Sequence, residues 1–135
     1  MKKYFTALLA AAGISTGFLM MPTAAMATNV FHYYADNGSI NFQFSEDPGN
    51  ATFEIWHDDT FGWHEVGNGS VTADGGGVYT LTVCDDKADG IGPFIDRDGG
   101  SYGTNGSGTC STYVAEPYEW RTRWDGYSAP WLGMP

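Results

Sequence analysis

Three stretches of the chain hold the residue types that do chemistry. The first is EIWHDDTFGWHEV, residues 54–66. His57, Asp58, His64 and Glu65 crowd into what reads as a single hairpin. Two imidazoles and two carboxylates could serve acid–base work or hold a metal. A catalytic zinc, however, needs three converging ligands and an open position, and His32 is the only other histidine. In the simplest hairpin register Trp56 lies opposite Trp63, and Ile55 opposite His64. Both His57 and His64 then share a face with Phe53, Ile55 and Val66, as edge or core histidines rather than zinc ligands. A small hydrolase built on the His57–Glu65 hairpin is one function class this stretch leaves open.

The second stretch is VCDDKADGIGPFIDRDGG, residues 83–100. An EF-hand loop places oxygen ligands at positions one, three and five, glycine at six and an acid at twelve. Counting from Asp85, Asp89, Gly90 and Asp96 fit, but position three is Lys87, a cation where a ligand belongs. Strands flank the loop instead of helices, so an EF-hand is excluded. A looser calcium cage drawn from Asp85, Asp86, Asp89, Asp96 and Asp98 remains open, and calcium is the one cofactor the sequence suggests. Against it stands the ordinary use of Asp and Gly as turn formers.

The third, Gly99-Gly100-Ser101-Tyr102-Gly103, spells G-x-S-x-G. That motif needs a strand–turn–helix setting and a later acid and histidine. No histidine follows His64, so the match carries no hydrolase. For paired glycosidase carboxylates, no spacing selects a pair.

The elements that must position these residues are short strands. Residues 1–27 have a dilysine start, an apolar run broken at Pro22 and an Ala25-Met26-Ala27 cleavage site, the pattern of a signal peptide. Removing 27 residues from 135 leaves 108, the size of one domain. All 16 acidic residues and four of the six basic ones fall after the leader, so the mature net charge is −12. That charge repels phosphate backbones and anionic lipid and argues against nucleic-acid and membrane partners. Only two leucines remain, Leu81 and Leu132, but all five tryptophans do, and aromatic side chains bury large areas each. Cys84 and Cys110, an even pair in a secreted chain, read as a disulfide. It closes a loop of roughly 27 residues, a contribution of about 3–4 kcal/mol in the chain-entropy model.

Alternation then marks the strands. Ile40, Phe42 and Phe44 share one face of a strand that follows the Asp36-Asn37-Gly38 turn. Tyr79, Leu81 and Val83 share a face of the best strand, Val78–Cys84. Gly67-Asn68-Gly69 reads as a turn between two short strands, Gly62–Val66 and Ser70–Ala73. The tail from residue 116 carries three tryptophans and a plausible last strand at Tyr118–Trp124. Turn signals recur at the spacing of an antiparallel, immunoglobulin-like β-sandwich.

Within this pattern VYTLTVCDDKADG, with a Gly- and Ser-rich segment before Cys110, resembles small secreted β-rich proteins of actinobacteria. The resemblance spans roughly residues 62–110. It implies a compact β-sandwich with Cys84 bonded to Cys110, and no activity.

The sequence therefore predicts an all-β, immunoglobulin-like sandwich at residues 28–115 with one disulfide. An aromatic strand and tail at 116–135 packs on it. The expected function is that of a secreted non-enzymatic protein binding an extracellular protein or glycan through aromatic residues. The candidates are Trp56, Trp63, Trp120, Trp124 and Trp131. The competing reading makes the tryptophans the core and the tail a cover for a sheet edge. A structural exoprotein, stapled by the disulfide and calcium, is a further alternative.

Overall fold

The computed structural model describes residues 28–104 and 106–135. The predicted signal peptide lies outside them. Eleven strands form two antiparallel sheets. The first sheet has six strands: β1 (Asn29–Ala35), β2 (Ile40–Asp47), β3 (Asn50–Asp59), β4 (Gly62–Gly75), β5 (Val78–Asp85) and β8 (Cys110–Ala115). The second contains β6 (Phe94–Arg97), β7 (Gly100–Gly103), β9 (Glu119–Trp124), β10 (Tyr127–Ser128) and β11 (Leu132–Gly133). Among the described residues no helix is long and apolar enough to cross a membrane. The expected two-sheet sandwich with one disulfide is thus what the chain forms. Its strand order is its own: β1 to β5 stay in one sheet as consecutive hairpins.

The alternation read from the sequence sets the core. Ile40, Phe42 and Phe44 of β2, Phe53 and Ile55 of β3, and Leu81 and Val83 of β5 are buried. From the second sheet Ile95, Trp120 and Trp124 meet them. Trp120 sits edge-on to Phe44 at 5.8 Å between ring centroids and lies 6.1 Å from Phe53. The segment after Ala115 is therefore no cover for an open edge. It contributes β9, which runs through the second sheet between β6 and the short strands β10 and β11.

Two local readings change. Gly67-Asn68-Gly69 is not a turn, because β4 runs unbroken through it for 14 residues. These glycines serve close approach. A Cβ on Gly67 would come within 2.7 Å of Pro93, and one on Gly69 within 2.7 Å of the Phe53 ring. The β3–β4 register also shifts between Ile55 and Trp56. Val66 is the extra residue, a β-bulge that keeps Val66 and His64 both facing inward. On the tip side of the bulge, the two-residue turn at Thr60 and Phe61 pairs Trp56 with Glu65, His57 with His64 and Asp58 with Trp63, instead of the Trp56–Trp63 pair expected.

Cys84 and Cys110 are disulfide-bonded directly across the β5–β8 ladder. The bond lies within one sheet and ties the edge strand β8 to its neighbour.

Candidate functional site

The five tryptophans divide between core and surface. Trp120 and Trp124 are buried, which removes them from the binding set. Their alternation with Arg121 and Arg123 along β9 turns the indoles inward and the cations outward. Trp63 and Trp131 are exposed, and Trp56 is half-buried.

Trp56 and Trp63 lie on the outer face of the six-stranded sheet. A cross-strand row there runs Tyr34, Asn41, Trp56, Glu65 through β1 to β4. Tyr34 is more than half exposed at 56 %, and Trp63 flanks the row at 46 %. Polar partners fix the rings and acids. The Trp56 indole N–H donates to Glu54 Oε1 at 2.9 Å, and Gln43 Nε2 reaches the same oxygen at 3.4 Å. Asn68 Nδ2 donates to Glu65 Oε2 at 2.8 Å and to Asp86 Oδ2 at 2.6 Å. Burial pushes the Glu65 carboxyl above its usual range; the hydrogen bond from Asn68 opposes this and the nearby Asp86 charge adds to it. Beside the row a groove of about 220 Å³ is lined by Val30, Gln43, Ser45, Thr52 and Glu54. Tyr34 was missed at the sequence level. The signal was present, since Val30, His32 and Tyr34 alternate along an edge strand. Phe61, 93 % exposed at the β3–β4 tip, was missed as well.

The five aspartates proposed for calcium do not converge. Among the described residues no three of them bring ligand oxygens within 4.8 Å of one another. Each has separate work. Asp96 is buried on the outer face of the second sheet. It accepts from Arg121 Nε at 3.1 Å, Arg123 Nη2 at 3.0 Å and Ser101 Oγ at 2.7 Å. Burial alone would raise its carboxyl; the hydrogen bonds from Arg123, Ser101 and Arg121 outweigh burial and hold it below the usual range. Asp98 accepts the backbone N–H groups of Tyr118 and Glu119, at 2.7 and 3.2 Å, joining the β6–β7 turn to the start of β9. The Tyr118 bond foremost holds it low. Asp85 and Asp89 accept N–H groups two residues ahead, from Lys87 and Ile91, as turn formers do. Asp86 belongs to the outer-face network through Asn68. Ser101 of the G-x-S-x-G match sits in β7, with its hydroxyl committed to Asp96.

The hairpin histidines do converge, with a different acid from those singled out in the sequence. Donor atoms of His57, Asp59 and His64 all lie within 4.8 Å of one another. His57 packs on Trp124 at 5.1 Å between ring centroids. Asp58 is exposed and Glu65 points to the opposite face, so neither joins them. The tightness of the turn hid this set, since only a two-residue turn at Thr60 and Phe61 brings His57 opposite His64.

A groove of about 430 Å³ lies elsewhere, lined by Tyr79, Glu116, Pro117, Tyr118 and Met134 among others. None of the sequence-predicted site residues lines it. Compared with family models, curated proteins and solved structures, the chain matches none.

Proposed function

We propose that the protein is a secreted, non-catalytic binding module that takes an extracellular glycan on the outer face of its six-stranded sheet. One observation carries this reading. Two tryptophans supply the core, while Trp56 and Trp63 stand outside it beside Tyr34, among amides and carboxylates. Flat indole and phenol rings stack on the apolar faces of sugar rings. Gln43, Glu54, Glu65 and Asn68 offer hydrogen bonds to hydroxyl groups at the ring edges. The Trp56 ring is already held by Glu54, so binding need not order it. The resemblance to small secreted actinobacterial proteins is compatible with this role, and the adjoining groove adds a recess beside the rings.

The test is retention of the mature protein on insoluble polysaccharides and isolated cell-wall glycans. Trp56→Ala and Trp63→Ala should each lower retention at least about tenfold, a loss of about 1.4 kcal/mol. The Trp63→Ala protein should melt within about 0.5 kcal/mol of the parent, because its side chain is exposed. Retention that survives both substitutions would sink the glycan reading. Capture of a secreted protein, abolished by the same substitutions, would keep the face and change the partner. A small hydrolase is the second reading, and the convergence of His57, Asp59 and His64 is what favours it.

A further inference from the structure

The β3–β4 hairpin carries a second arrangement, on the inner side of the sheet from the aromatic row and independent of the glycan reading. The hairpin closes through the two residues Thr60 and Phe61. Phe61 N–H donates to Asp59 Oδ1 at 2.8 Å, which orients that carboxylate. His64 Nδ1 lies 3.1 Å from the Gly62 carbonyl oxygen. A carbonyl only accepts, so Nδ1 carries the proton and Nε2 presents its lone pair. That lone pair faces Asp59 Oδ2 at 3.4 Å. A ring nitrogen oriented by a backbone carbonyl on its far side is the usual condition of a metal-ligating histidine.

A cation already lies at this point. Lys87 Nζ sits 2.7 Å from His64 Nε2 and 3.4 Å from Asp59 Oδ2. The ammonium comes from the loop after β5, outside any strand. The donors thus favour positive charge, and the side chain supplying it is 35 % exposed and flexible enough to leave. His57, opposite His64 in the ladder, adds a third donor within the 4.8 Å spread. In tetrahedral zinc sites ligand atoms stand about 3.3 Å apart. The His64–Asp59 separation already meets that value.

We propose that His57, Asp59 and His64 bind a divalent transition-metal ion of the zinc class, which displaces the Lys87 ammonium. Two imidazoles and one carboxylate are nitrogen-rich, which suits zinc, nickel or copper rather than calcium. Three protein ligands leave a further coordination position for water or a partner's side chain.

Lys87→Met makes the test specific. Zinc is titrated calorimetrically into the purified mature protein, and melting is followed with and without the ion. The expected result is one zinc per chain and a higher melting temperature with zinc. Binding should weaken at least about tenfold in His64→Ala and Asp59→Asn. In Lys87→Met it should tighten several-fold, because the competing cation is gone. His57 packs on Trp124, so His57→Gln serves as its milder variant, with circular dichroism checking the fold. Adventitious binding to scattered surface histidines would gain nothing from Lys87→Met. The proposal is overturned if zinc fails to bind at one per chain, if it binds only to the Lys87→Met protein, or if binding persists through all three ligand substitutions.

Discussion

The two outer faces of the sandwich use similar residue types to opposite ends. On the second sheet, Asp96 stands between Arg121 and Arg123. Arg121 lies over the Trp131 ring at 4.6 Å and Arg123 over the Phe94 ring at 4.3 Å. Every acid, cation and ring in this set has a partner within it. On the six-stranded sheet, Trp56, Trp63 and Tyr34 sit among Glu54, Glu65 and Asp86, and no cation joins them. The described residues hold four cationic side chains: the three arginines belong to the second sheet, and Lys87, from the loop after β5, is taken up by His64 and Asp59 of the β3–β4 hairpin. One face is internally neutralised and closed, and the other leaves charge and aromatic surface for something else to meet. Aromatic and acidic content therefore says little about availability. The placement of a few arginines decides it.

The same chemical change tests the two faces with opposite signs. Asp96→Asn leaves Arg121 and Arg123 without their shared anion on a buried site. The expected loss is about 2–4 kcal/mol by denaturant unfolding, the largest effect on either face. The parent should also lose stability in acid. A carboxyl held low in the folded state stabilises at pH above the ordinary aspartate value of about 3.9 and loses that contribution as pH falls through its lowered value. The Asp96→Asn protein should show a shallower decline there. An unchanged acid profile would mean the arginine clamp is not what holds the second sheet.

Trp131→Ala removes the ring beneath Arg121 and leaves the Asp96 contacts in place. A smaller loss follows, about 0.5–1 kcal/mol. A loss as large as that of Asp96→Asn would show that the ring, rather than the carboxylate, organises this face. Glu65→Gln is the smallest and has the other sign. Its carboxyl is held above the usual range, so ionising it at neutral pH costs stability, and the amide oxygen can still accept from Asn68. The variant should be equal to the parent or more stable by no more than about 0.5 kcal/mol. Destabilisation would mean that the open face is as internally satisfied as the closed one.

Much of this arrangement is legible in the sequence. Period-two alternation in residues 40–44 and 79–83 identified inward faces correctly, because each strand is buried on one side only. Alternation in Trp120-Arg121-Thr122-Arg123-Trp124 also held the answer to which tryptophans are core. What remained hidden depended on contacts distant in sequence. Gly67 and Gly69 look like turn residues until Pro93 and Phe53 are seen to press on them. The hairpin turns tightly through Thr60 and Phe61 instead of through a wider loop, and that turn sets the partner of every donor in residues 57–64. The aspartates of residues 85–98 form a cluster along the chain and scatter in space, because a strand end, a loop and a hairpin separate them.

The position of β9 has a consequence in time. Strands β1 to β5 and β8 are complete by Ala115, and consecutive hairpins let that sheet pair as the chain is delivered. Its apolar side, with Phe42, Phe44 and Phe53 upon it, meets Trp120 only when residues 119–124 arrive, after every strand of that sheet is made. Until then the chain carries an uncovered hydrophobic sheet, the condition under which partly folded chains associate with one another. The order of synthesis thus opens an aggregation-prone interval between Ala115 and Trp124, and leaves β9 to end it.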